Sequence, residues 1–225
     1  MSTASPGRGH RFLTIDCEFM GNLSVIRAPV SFGNEELILV DGDDCVVGHS
    51  SKLDAHAGLG MLHRAFSVFL FDDQGRLLVH RRSEKKPLWP GFWTNSCCSH
   101  PRKGESLESA VKRRITEELG VVADPVYVYK FEYHVAYEDR GSEHELCHVF
   151  LATIASTEQI SAHADEVMEW RWLSTDEVDV WMMEKTASLT PWFRQEWQAL
   201  RDQYRPRLET FIASSKKSKS HLGAA

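Results

Sequence analysis

The chain has 225 residues, enough for one globular domain with a substantial core. Its 42% hydrophobic and 26% charged residues are an ordinary globular mix, and its net charge of −6 argues against a general nucleic-acid binder, which carries a basic excess. No apolar run approaches a membrane span, and Met1 to Arg11 lacks the apolar stretch of a signal peptide, so a cytoplasmic location is expected. Five scattered cysteines (Cys17, Cys45, Cys97, Cys98 and Cys147) do not form a disulfide framework, and free thiols in a reducing compartment are expected.

Residues 1–34, with Gly and Pro at Pro6, Gly7, Gly9, Gly21, Pro29 and Gly33, read as an arm that is mobile or adds a strand. The domain proper is expected over residues 35–212. It opens with Glu36–Val40 and Cys45–Val47 around the turn signal Asp41-Gly-Asp-Asp44, a hairpin pattern. A second hairpin pattern follows, with Ala65–Phe71 and Leu77–His80 around Asp72-Asp-Gln-Gly75. The run from Glu105 to Leu119 is a helix, its apolar stripe formed by Leu107, Ala110, Val111, Ile115 and Leu119. Val126–Tyr137, Leu146–Ile154 and Trp170–Leu173 carry the β-branched and aromatic residues of strands. Ser174 with Glu177 forms a capping box, and Thr190-Pro191 opens the last helix. The Ser/Lys-rich stretch 213–225 is expected to be disordered. Strands at the centre and helices outside make an α+β sandwich.

Several charged residues do not fit a plain core. Arg114 and Glu118 project along the apolar stripe of the central helix. They either pair with each other at i,i+4 or meet a metal or ligand, and a charge aimed at a core is costly without such a partner. His56 and His63 flank a Gly-rich segment, His100 follows Cys98 by two, and Glu143 and Glu145 lie two apart on a strand and so share a face. Imidazoles mixed with carboxylates suit Mg²⁺, Mn²⁺ or Zn²⁺. His144, between the two glutamates, should point away. Lys52, Arg82 and Lys86 fall in turns or strand ends where cations can gather on an anionic group, or simply face solvent.

Taken together these motifs resemble a known family. Glu105, Arg113, Glu117, Glu118 and Gly120 match the Nudix box, with two departures: Ser99 stands where the box begins with Gly, and Arg114 replaces the Glu after Arg. Both departures, with His56 and His63, Arg82-Ser-Glu-Lys-Lys86, Trp89-Pro-Gly91, Thr94-Asn-Ser-Cys-Cys-Ser-His-Pro101, Glu143-His-Glu-Leu-Cys147 and Thr190-Pro-Trp192, resemble the type 1 isopentenyl-diphosphate isomerase branch. The likeness runs from about Glu36 to Arg201. It implies a Nudix-like α/β/α sandwich with a mixed central sheet. It also implies a divalent ion (Mn²⁺, Mg²⁺ or Zn²⁺) on His56, His63, His100, Glu143 and Glu145, and a Mg²⁺ on the substrate diphosphate held by Glu118. By the same likeness Cys98, Glu145 and Tyr133 are catalytic, Lys52, Arg82, Lys86 and Ser99 contact substrate, and Trp197 lines the pocket. The implied partner is a small isoprenyl diphosphate, without nucleic acid or membrane. Two alternatives remain: a Nudix hydrolase of nucleoside diphosphate derivatives, for which Arg114 and the Cys98/His100 pair are superfluous, and a non-catalytic metal-binding domain.

Overall fold

The computed structural model describes residues 28–218. Strand β3 (His63–Asp72) is the hub of the sheet. Strand β8 (Gly141–Ile154) runs parallel to it along its whole length, from His63 opposite Glu145 to Asp72 opposite Ile154. The other edge of β3 pairs antiparallel with the short β6 (Cys97–Ser99), which sets Ser67 opposite Cys98. Strands β1 (Glu36–Val40) and β2 (Val46–Ser51) form the first hairpin, and β3 with β4 (Leu77–Arg82) forms the second. Strand β5 (Trp93–Thr94) and strand β9 (Val167–Leu173) lie on β4, and β7 (Val126–Tyr137) lies antiparallel on β8. One parallel pair among antiparallel ones makes the sheet mixed, as expected.

Alternation along β3 divides the core. Phe66, Val68 and Leu70 face helix α2 (Leu107–Leu119), together with Cys97, Ala110, Val111, Ile115 and Leu119. Ala65, Phe69 and Phe71 face the opposite way, toward Trp181 of α3 (Thr175–Glu184), Trp192, Phe193 and Trp197 of α4 (Pro191–Asp202), and Leu208 of α5 (Arg205–Ser218). Here α1 is the single turn Lys52–Ala55. The expected capping box is formed: Ser174 accepts from the Glu177 amide while the Glu177 carboxylate accepts from the Ser174 amide. Helix α2 starts at its Ser106 cap and stops at Gly120, whose φ of 72° only glycine adopts freely.

The described residues begin inside the expected arm, and at the other end the expectation of a disordered tail needs correction. Residues 28–34 of the expected arm pack against the domain: His163 meets the Ala28 carbonyl at 3.0 Å, and Lys52 Nζ donates to Ser31 Oγ at 2.7 Å. The expected tail is helical as far as Ser218, because α5 seats Leu208, Phe211 and Ile212 against the core and carries the chain on. Residues 1–27 and 219–225 lie outside the described residues.

Candidate active site

The sheet brings the five expected ligand residues together. Their donor atoms lie within 4.8 Å of one another, and the three imidazole centroids are 4.8 to 5.2 Å apart. Register explains much of this. His63 sits beside Glu145 on the parallel strand, and Tyr133 lies opposite Glu145 on the antiparallel one. Two residues back, Glu143 shares the face of Glu145, while His144 turns to the other side and stacks on His134 at 4.6 Å. His56 arrives from the turn after α1, and Ser142 N donates to its carbonyl at 3.0 Å. That approach requires Gly141, since a Cβ there would strike the His56 carbonyl.

The rings are held from behind. Nδ1 of His56 meets the Lys52 carbonyl and Nδ1 of His63 the Met61 carbonyl, each at 2.7 Å, which leaves both Nε2 atoms pointing inward. Nε2 of His56 lies 2.9 Å from Glu143 Oε2 without hydrogen-bond alignment, and His63 Nε2 and Glu143 Oε2 are both buried without a hydrogen-bond partner. Nε2 of His100 meets Glu145 Oε1 at 2.9 Å, and Tyr133 Oη donates to Oε2 at 2.6 Å. Burial pushes the Glu145 carboxyl up, but His63 and the Tyr133 hydroxyl outweigh it and hold it below its ordinary value. Orphaned nitrogen and carboxylate atoms converging on one point are what a cation-binding cage looks like. Three imidazoles and two carboxylates fit a divalent ion.

Cys98 stands beside this cluster and Cys97 on the other face of the sheet, where it is fully buried against α2. The thiol of Cys98 donates to Asn95 Oδ1 at 2.8 Å and touches Ser67 Oγ at 3.3 Å. The Asn95 amide is oriented by its Nδ2, which donates to the Val68 and Cys97 carbonyls, so Oδ1 is left to accept from Cys98 and from Thr94 Oγ1. Thr94 in turn accepts from Thr190 and from the Trp192 indole at 3.0 Å. Burial raises the Cys98 pKa well above an ordinary thiol's, with Glu196 adding to it, so the group is held as S–H.

A cavity of about 420 Å³ opens between these residues, lined by Cys98, Ser99, His100, Tyr133, Glu143, Glu145 and Trp192 on one side. Its other end carries Lys52, Arg82, Lys86 and Glu166, with the irregular segment Pro29–Gly33 also lining it. Lys86 donates to Glu166 Oε2 at 2.6 Å, and Arg114 bridges Glu166 Oε1 at 3.1 Å and Glu118 Oε1 at 2.6 Å. Arg114 and Glu118, each 2% exposed, thus take the paired reading of the helix stripe, extended by Glu166. Glu118 accordingly lies outside the His/Glu cluster. Glu166 is held far below the ordinary carboxyl range, since Lys86 and Arg114 overcome its burial, and burial with Lys86 nearby lowers Lys52 to about 8. Arg82 spends Nε and Nη2 on the Trp89 and Leu88 carbonyls and lies 5.2 Å from the Trp192 ring. The Nudix-box residues Glu105 and Arg113 pair at 2.7 Å, and Glu105 also accepts from the Arg102 amide, tying α2 to the loop that carries His100.

One expected pocket residue is misplaced. Trp197 does not line this cavity. It is buried against Phe69, and its indole donates to Asp179 at 2.7 Å. Five residues along a helix turn a side chain by about 140°, and Trp192, not Trp197, points into the cavity. Sequence reasoning also missed Ser67 and Glu166, and it placed Asn95 in the Thr94–Pro101 motif without a role of its own. Only the Asp165-Glu166 pair ahead of β9 gave a signal, and it looks like any acidic turn.

The fold and this cage define a class of protein. Residues 61–193 match the NUDIX domain. A protein of Deinococcus radiodurans shares the fold with a TM-score of 0.57 at 20% identity, covering 73% of this chain and 98% of that one. A MutT protein of Methanosarcina mazei Go1 does so at 0.51 and 20%, covering 64% and 95%. Within that class sequence similarity is far closer to one branch. Isopentenyl-diphosphate Delta-isomerase 1 of Photorhabdus laumondii is 41% identical over 72% of this chain and 93% of its own, and the Leifsonia xyli isopentenyl-diphosphate Delta-isomerase is 41% identical over 74% and 88%. This chain belongs to the isopentenyl-diphosphate Delta-isomerase family of NUDIX-domain proteins, and it is an isomerase. No helix among the described residues is long and apolar enough to cross a membrane.

Proposed function

We propose that the chain interconverts isopentenyl diphosphate and dimethylallyl diphosphate, a 1,3-allylic shift of one double bond that serves isoprenoid synthesis in the cytoplasm. The observation that supports this best is the convergence of Cys98 with the Tyr133–Glu145 pair on one cavity whose far end carries Lys52, Arg82 and Lys86. A five-carbon chain with a diphosphate at one end has the matching polarity.

A terminal alkene is a very weak base, so its protonation leaves a tertiary, cation-like carbon. The reaction needs one group to deliver a proton and another, across the allyl plane, to remove one. Glu145 with Tyr133 and the Cys98 thiol are these two groups. A divalent ion held by His56, His63, His100, Glu143 and Glu145 would raise the acidity of the groups around it, and Mn²⁺, Mg²⁺ and Zn²⁺ all accept this donor set. The Trp192 face shields the cation from water. Lys52, Arg82, Lys86 and Ser99 hold the diphosphate and hinder its departure from the allylic product. Glu118 would be the carboxylate that holds a Mg²⁺ on that diphosphate, and Arg114 already pairs with it at 2.6 Å.

Incubating the protein with isopentenyl diphosphate and Mg²⁺ tests the reading. The expected product is the allylic isomer. Release of phosphate or pyrophosphate without isomer would favour hydrolysis, and neither product would favour a metal-binding domain without catalysis.

A further inference from the structure

One buried acid has no part in the scheme above. Glu196, on α4, is 0% exposed and lies on the face shared by Phe69, Phe193 and Trp197. Among the described residues no cation lies beside it to favour its charged form, its Oε2 has no hydrogen-bond partner, and burial lifts its carboxyl to about 8. Such a group is expensive, and an apolar side chain of similar size would make the domain more stable.

What Glu196 does touch leads to the active site. Cys147 Sγ lies 3.5 Å from Glu196 Oε1 and 3.5 Å from Ser67 Oγ, and Ser67 Oγ lies 3.3 Å from Cys98 Sγ. Ser67 and Cys147 come from adjacent strands on the same face, so the sheet register builds this row. Cys98 spends its own hydrogen on Asn95 Oδ1 at 2.8 Å. Cys147 has a single hydrogen and two acceptors in reach, Ser67 Oγ and Glu196 Oε1, and the Glu196 oxygen is the acceptor that decides between them. With it the row has a direction; without it the serine and thiol hydrogens can point either way, and the Cys98 sulfur loses a fixed neighbour.

We propose that Glu196 is a positioning residue for the isomerisation, fixing through Cys147 and Ser67 the orientation in which Cys98 presents its thiol. The proposal rests on the isomerase reading, in which Cys98 is catalytic. It explains why an unpaired acid is kept in an apolar core behind that residue.

The test compares the full chain with Glu196→Leu, Glu196→Gln, Ser67→Ala and the Glu196→Leu/Ser67→Ala double variant, using isopentenyl diphosphate. Glu196→Leu should lower kcat on the order of tenfold, the scale of a small misplacement, with KM within about twofold and Tm unchanged or raised. Glu196→Gln keeps the acceptor oxygen and should retain at least half of kcat. In the Ser67→Ala background the Glu196→Leu change should have no further effect. Labelling of Cys98 by iodoacetamide, followed by peptide mapping, should change at least threefold in Glu196→Leu and little in Glu196→Gln. This readout decides the proposal even if the wild-type protein fails to isomerise, a result that would remove the isomerase reading alone. Should the leucine variant not fold, Glu196→Met replaces it. The proposal is overturned by a leucine or methionine variant with wild-type kcat and labelling. It is equally overturned by a glutamine variant as impaired as leucine, or by additive effects of the Glu196 and Ser67 changes.

Discussion

The two ends of the cavity solve opposite electrostatic problems. At one end His56, His63, His100, Glu143 and Glu145 converge with buried atoms that have no hydrogen-bond partner. At the other, Lys86, Glu166, Arg114, Glu118 and Glu117 form a chain of ion pairs between 2.6 and 3.1 Å. The first end is arranged around a charge from outside the chain. The second carries its own counter-ions. Frustration therefore marks the end with the His/Glu cluster, and saturation marks the end with the basic residues.

The largest effect expected comes from separating chemistry from metal at the first end. Cys98→Ala should abolish detectable turnover while metal content, measured after dialysis, stays at the wild-type level. A loss of bound metal in that variant would place Cys98 among the ligands. The second end should answer in stability instead: Arg114→Met leaves Glu118 buried without its cation and Glu166 with Lys86 alone, and should cost about 3–5 kcal/mol in a denaturant titration. A loss below about 1 kcal/mol would show that the chain of ion pairs is not coupled.

Metal addition sharpens the contrast further. At 100 times its dissociation constant, Mn²⁺ or Zn²⁺ should stabilise the protein by about 2.7 kcal/mol, seen as a rise in Tm. His63→Ala should lose most of that rise, whereas Lys86→Met should keep it. A smaller effect follows from pH. Glu166 has a folded pKa below its unfolded value of 4.5, so its contribution is complete above 4.5 and fades as pH falls. Unfolding midpoints should therefore decline on acidification below about 4.5, less steeply in Glu166→Gln. The smallest effect belongs to Cys97→Ala, a cavity of one sulfur on the α2 face, expected to cost about 1–2 kcal/mol with turnover retained.

Much of this was written in local pattern. The hairpins, the Ser174 capping box and the α2 stripe follow from periodicity and turn residues, which act over a few positions. The shared face of Glu143 and Glu145, and the opposed faces of Cys97 and Cys98, follow from strand alternation alone. The resemblance of the motifs to one enzyme family then named the ligand residues before any geometry was known, and the sheet brings those five together.

What the sequence could not determine depends on contacts between distant segments. Trp192 and Trp197 are equally aromatic in a string of letters, and only the seating of α4 on the sheet turns Trp192 toward the cavity. Arg114 and Glu118 left open whether a metal or a neighbour would neutralise them, because Glu166, some fifty positions on, reaches them only through the fold. Ser67 and Glu196 carry no motif of their own, and the motif that holds Asn95 does not say what its amide meets. Their meaning comes from parallel pairing of β3 with β8 and from α4 packing over both, which sets a buried acid at the end of a row leading to Cys98. Local periodicity fixes which face a side chain takes; only tertiary packing decides what it meets there.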